Sequence, residues 1–129
     1  MKNSIQKIET DKAPKAIGPY SQATLADGFM FISGQIPINP ETGKIESLDI
    51  TSQTNQVLDN IEEILKAAGL TFEDVVKTEI YVSDLENFTL INSLYGKRFS
   101  HLIKPARQLM QVSRLPLDSL IEISCIAKK

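Results

Sequence analysis

The sequence predicts an α+β domain: a mixed sheet with two helices packed on one face. Three observations carry that expectation. Residues at about 50–68 repeat apolar side chains at helical spacing, a second such stripe falls at about 84–99, and short apolar or alternating runs precede, separate and follow them. The resulting order is strands, helix, strand, helix, strand pair, which suits helices gathered on one side of a sheet. At 129 residues, the chain fits a single domain spanning 1–129, with no repeat, low-complexity tract or Ser/Gly linker to divide it.

Taken in order, residues 11–22 read as a loop, because Pro14, Gly18 and Pro19 interrupt regular structure. Phe29-Met30-Phe31-Ile32 reads as a buried strand. Residues 37–44, PINPETGK, are a turn or loop. In the first helix, Val57, Leu58, Ile61, Ile64, Leu65 and Ala68 form one apolar stripe, Asp49 or Thr51 is the candidate N-cap, and Gly69 suits the residue that ends it. Residues 76–82 alternate as a strand, with Val76, Ile80 and Val82 expected to face inward. Ser83 and Glu86 have the spacing of a capping box for the second helix, whose stripe is Leu85, Phe88, Ile91, Leu94/Tyr95 and Phe99. Gly96 weakens its last turn. Two strands, 109–115 and 120–127, are joined through the turn-rich Pro116-Leu117-Asp118-Ser119 and are expected to form a hairpin-like pair.

Composition narrows the function classes. Fourteen Lys and Arg against sixteen Asp and Glu leave a net charge of −2, without the basic field that neutralises phosphates, so nucleic acid is not the expected partner. No apolar run reaches the roughly 20 residues of a membrane span and no signal-peptide core opens the chain, so a soluble, cytoplasmic protein without a membrane partner is expected. Cys125 is the only cysteine; it alternates in phase with Ile121 and Ile123 and reads as a core thiol. With one histidine, His101, and one cysteine no metal site is expected, and no phosphate-binding glycine motif is present. His101 reads as a surface or helix-end residue.

The chemistry concentrates in Pro105-Ala106-Arg107 and in Glu122, fifteen residues after the arginine. A carboxylate between Ile121 and Ile123 in a strand is costly to desolvate unless it is paired, edge-exposed or useful. A guanidinium grips a substrate carboxylate bidentately, and a nearby glutamate can activate water. If 109–115 and 120–127 form a hairpin, Arg107 and Glu122 lie near the same end of the sheet. Spacing alone is also met by a solvated loop arginine and an edge-strand or ion-paired glutamate, and favours that simpler reading.

The pattern Pro105-Ala106-Arg107, Val112-Ser113-Arg114-Leu115-Pro116 and Ile121-Glu122-Ile123 resembles the signature of the RidA/YjgF family. Ala16-Ile17-Gly18-Pro19-Tyr20-Ser21-Gln22, Ser33-Gly34-Gln35-Ile36-Pro37, Asp59-Asn60-Ile61, Ala67-Ala68-Gly69-Leu70 and Val76-Lys77-Thr78 agree with it, in the same order, from about residue 5 onward. The resemblance implies a chorismate-mutase-like fold and a homotrimer with active sites in clefts between subunits. It implies hydrolysis of 2-iminobutanoate and 2-iminopropanoate, without a cofactor, to 2-keto acids and ammonia. Arg107 would then bind the substrate carboxylate and Glu122 would position or activate water, with Tyr20, Ser33, Gly34 and Asn92 lining the cleft. Many members carry a cysteine where this chain has Leu109, so only the backbone of residue 109 would serve the site; Gln108 also replaces a small residue. Two other functions remain open: a non-catalytic trimer that binds small carboxylates, and an RNA-cleaving translation inhibitor. The charge balance, the single histidine and the lack of tryptophan weigh against the second.

Overall fold

The computed structural model describes residues 4–101 and 103–129. Its main element is a six-stranded mixed sheet in the order β1-β2-β3-β8-β6-β7. The strands are β1 (Gln6–Ile8), β2 (Ala23–Ala26), β3 (Phe29–Gln35), β6 (Val75–Val82), β7 (Ala106–Gln111) and β8 (Ile121–Lys128). A separate two-stranded ribbon, β4 (Ile38–Asn39) and β5 (Lys44–Ile45), flanks the turn expected at 37–44. The helices are α1 (Ile50–Ala67) and α2 (Phe88–Arg98).

Helix α1 forms where its stripe predicts. The Asp49 carboxylate accepts from the Ser52 amide at its start, so Asp49 and not Thr51 is the cap. Gly69, at φ +75°, lets the chain reverse at its end, where the Gly69 and Leu70 amides close onto Lys66 and Leu65. Val57, Leu58, Ile61, Ile64 and Leu65 are fully buried, each contributing roughly 1.5–3 kcal/mol. They pack against alternate residues of the sheet: Met30, Ile32, Ile80, Val82, Ile121, Ile123 and Cys125. One sheet face therefore lies beneath the helices. The other presents Phe29, Phe31, Lys77, Glu79, Tyr81, Gln108, Met110, Glu122 and Ser124 and has no covering layer among the described residues.

Four expectations need correction. Residues 109–115 and 120–127 do not pair: β6 lies between β7 and β8, parallel to the first and antiparallel to the second. Parallel strands need a crossover, and α2 supplies it between β6 and β7. Val76 faces outward and Val75 inward, because the β6/β8 register shifts between Val75 and Lys77 and reverses the alternation there. The second helix starts late. Asp84, not Ser83, caps a short 3₁₀ turn (Leu85–Asn87) through the Glu86 amide, and α2 begins only at Phe88. Its buried stripe is Ile91, Tyr95 and Phe99, whereas Leu85 and Phe88 are exposed. His101 follows the end of α2 as expected, and Cys125 is buried in the core, where burial pushes its thiol up to about 12. Among the described residues no helix is long and apolar enough to cross a membrane, and no group of three His, Cys, Asp or Glu could hold a metal ion.

Candidate active site

Ladder register fixes where the two charged candidates lie. Arg107 stands opposite Thr78 on β6, and Glu122 stands opposite Tyr81 from the other side of the same strand. Thr78 is buried beneath α2, whereas Tyr81 lies on the uncovered face, and side chains directly across a ladder share a face. Arg107 and Glu122 are therefore on opposite faces of the sheet. They do not converge at one end of a hairpin: they are separated by about 10 Å along the strand direction and two strand spacings across it.

Glu122 belongs to a cavity of about 320 Å³ that also brings together Tyr20, Gly34, Ile36, Leu117 and Lys15. Between Ile32 and Gln35, two residues of β3, Ser33 and Gly34, oppose Ser124 alone on β8, which is a bulge. The bulge lays the Gly34 backbone against the Glu122 side chain. A Cβ at position 34 would collide with Oε2 of Glu122 and sit 2.9 Å from its Cδ, so glycine is what leaves room for the carboxylate. Among the described residues no hydrogen-bond or ion-pair partner meets that carboxylate, and its half-buried position raises its pKa above the usual carboxylate range.

The walls of this cavity are pinned by buried amides. Gln22 donates to the carbonyls of Thr10, Ala13 and Pro14 and accepts from the Thr10 amide, which closes the loop carrying Tyr20. The Ser33 hydroxyl donates to the Ser21 carbonyl at 2.6 Å and the Ser33 amide to Gln22, so Ser33 ties the bulge to the same loop. From α1, Asn60 donates to the carbonyls of Ile36 and Ile38, and Gln53 accepts from the Leu120 amide. Leu117 and Asp118, both at left-handed φ, shape the rim, where Arg114 pairs with Asp118 at 2.6 Å. The side-chain amides explain segments that the sequence singled out as motifs without assigning them work: Gln22 and Asn60 are framework.

Arg107 borders a second recess, of about 290 Å³, with Asn92, Tyr95, Phe99, Lys104 and Pro105. Its NH1 donates to Asn92 Oδ1 at 2.7 Å, and its guanidinium carbon lies 5.0 Å from the Tyr95 ring centre and 6.0 Å from that of Phe88. No carboxylate of the described residues pairs with it. Leu109 shares the Arg107 face, partly buried against the core. The structure thus groups Tyr20, Gly34 and Glu122 around one cavity and Arg107 and Asn92 around another, while Ser33 lines neither, its hydroxyl being held by the Ser21 carbonyl, and Leu109 packs on the core. A larger hollow of about 520 Å³, lined by Lys7, Glu9, Asp11 and Lys15, runs along the outer edge of the first group.

Phe88 and Tyr95 escaped sequence reasoning as site residues because their spacing matched a core stripe. A family model described as Endoribonuclease L-PSP matches residues 10–129. The chain is also 48% identical over 127 residues to the chloroplastic Reactive Intermediate Deaminase A of Arabidopsis thaliana, covering 97% of this chain and 67% of that protein. The chain belongs to the RidA/YjgF family. A RutC family protein of Pyrococcus horikoshii is 53% identical to this RidA/YjgF chain, over 95% of it and 96% of the relative. The solved structure of Escherichia coli TdcF with bound serine matches it at a TM-score of 0.92 and 40% identity, over 96% of this chain and 98% of that one.

Proposed function

We propose that this RidA/YjgF chain is a hydrolytic deaminase of small 2-imino acids such as 2-iminobutanoate and 2-iminopropanoate, and that it works as a homotrimer whose subunits share each site. The observation that carries the reading is a pair of unpaired opposite charges set apart: a cation with a free donor fork and a carboxylate raised by desolvation, on opposite sheet faces. Within one chain the pair cannot reach one small substrate. Two copies packed with the uncovered face of one against the β7 and α2 side of the next would bring Glu122 of the first toward Arg107 of the second. A homotrimer is the closed form that the family resemblance supplies.

In such a cleft Arg107 holds the substrate carboxylate and leaves C2 facing Glu122. Glu122 takes a proton from water as the water oxygen bonds to C2 of the protonated imine, and the C=N electron pair moves onto nitrogen. It then returns the proton to that nitrogen. The C2–N bond breaks, ammonia leaves, the hydroxyl proton passes to solvent, and the 2-keto acid remains. Every step runs on side chains of the protein and needs no cofactor. Two relatives lend support: one is named a reactive intermediate deaminase, and another holds serine, which carries a carboxylate beside a nitrogen-bearing carbon.

A pure carboxylate receptor would gain nothing from a second negative charge beside its ligand, which favours catalysis over sensing. The endoribonuclease reading in the family description finds less support, because the net charge is −2 and His101 lines neither Glu122's cavity nor Arg107's recess. The test generates the imine with a threonine dehydratase and follows its decay with and without this chain. Wild type should accelerate decay, and Arg107→Ala should abolish the acceleration while folding normally, since loss of a charged contact of this kind costs roughly 2–5 kcal/mol. Binding of 2-ketobutyrate without any acceleration would identify a sensor instead.

A further inference from the structure

Phe88, Asn92 and Tyr95 follow one another along α2 at i, i+4 and i+7, the spacing that lines side chains along one stripe. All three meet Arg107: two rings within reach of its charge, and the Asn92 carbonyl oxygen on NH1. We infer that this stripe is a positioning platform that aims the Arg107 guanidinium at the ligand carboxylate, with Tyr95 as its central residue. The inference rests on the reading of Arg107 as the carboxylate-binding group.

The geometry suits aiming better than neutralising. Asn92 engages one of the five guanidinium N–H donors, and the aromatic faces engage the charge without consuming a donor, so the rest of the fork stays free. The platform is itself rigid. The Tyr95 hydroxyl hydrogen-bonds the Thr78 hydroxyl at 2.8 Å, both groups being buried, and the Tyr95 ring stacks on Phe99 at 4.3 Å. Thr78 is the residue directly across the ladder from Arg107. The root of the arginine is therefore fixed by β6 and its tip by a ring anchored to the same β6 residue. A long side chain held this way has less rotamer freedom to lose when a ligand arrives. Asn92 then acts through Arg107 and not by touching substrate.

Three measurements on imine hydrolysis and on the free protein decide the matter. Tyr95→Leu removes the π face and should raise KM about tenfold while kcat stays within about twofold, the signature of lost uniform binding. Tyr95→Phe keeps the face but strands the buried Thr78 hydroxyl, so the melting temperature should fall while KM stays within about twofold of wild type. A structural role alone would move KM with stability, and equal KM increases in both variants would overturn the platform. Should Tyr95→Leu fail to fold, Asn92→Ala carries the test. It should raise KM severalfold in wild type but by less than about twofold in an Arg107→Lys background, where no fork remains to aim. An undiminished effect there would make Asn92 a direct substrate contact and overturn the proposal. The third readout needs no substrate: the side-chain Nε proton of Arg107 should show an upfield ring-current shift in wild type and Tyr95→Phe that Tyr95→Leu loses. A shift without imine turnover would sink the deaminase reading and leave the platform standing. Turnover without the shift would sink the platform alone.

Discussion

At the scale of single residues, Glu122 sets chemistry against stability. Its folded-state pKa is raised by burial, so the folded protein holds that proton more tightly than the unfolded chain does. The protonated form's stability advantage is therefore full below the ordinary glutamate range and is lost as pH rises through the folded value. Glu122→Gln, which removes the buried charge, should raise the melting temperature at pH 7, and that gain should vanish in acid. The same variant should lose about 10²-fold in turnover, a typical general-base contribution, while calorimetry still detects 2-ketobutyrate binding through Arg107. Unchanged turnover would remove the base role. Gly34→Ala acts on the same carboxylate from the other side. Gly34 does not have a left-handed φ, so the backbone accepts alanine, but the new methyl group must push the Glu122 carboxylate aside. Turnover should fall by at least about tenfold with a small change in melting temperature; equal losses in both would show a packing role instead. A charge between two isoleucines made Glu122 legible in the sequence. The reason for Gly34 was not, because it exists only once β3 bulges against β8.

At the scale of elements, legibility followed periodicity. Helix α1 has a long stripe and a capping residue at its start, and the sequence places it within a residue or so. β1 and β2, of three and four residues, are too short to display alternation, and they join the sheet by pairing with β3 in series. The β7/β8 pairing was misread because the turn between them is genuine: Pro116 opens a 3₁₀ turn there. A turn reverses the chain without deciding which strand it returns to, and the choice lies with α2, which sets β7 beside β6. The loop carrying Tyr20, residues 11–22, is tied to β3 through Ser33 and closed on itself by the Gln22 side chain. Gln22→Leu should destabilise the protein by roughly 2–4 kcal/mol, since it strands several backbone groups that were paired. Denaturant unfolding would measure that loss, and KM for the imine should rise with it because Tyr20 sits on the same loop. A stable Gln22→Leu protein with an ordinary KM would show that the loop is held by other contacts.

At the scale of the whole molecule, the sheet separates the two charged candidates. The sequence shows both charged residues but not that they occupy opposite faces, since that depends on the β6–β7–β8 register. Under the proposed assembly, Arg107→Ala and Glu122→Gln chains are each inactive but carry complementary defects. Mixed and reassembled at equal amounts, they should recover about a quarter of wild-type activity, because one cleft in four draws its arginine and its glutamate from the two unmutated sources. Light scattering on the same samples should report about three times the 14.3 kDa chain. Recovery of nothing, or activity in a monomer, would place the complete site within one chain. The divided sheet also bears on reaction order. A catalyst whose acid–base group and anchor belong to different molecules has no fixed specific activity: dilution toward the dissociation constant of the assembly switches it off, and concentration restores it after a lag set by re-association. The quantity of chain in a compartment would then set not only how many catalysts are present but whether any exist at all.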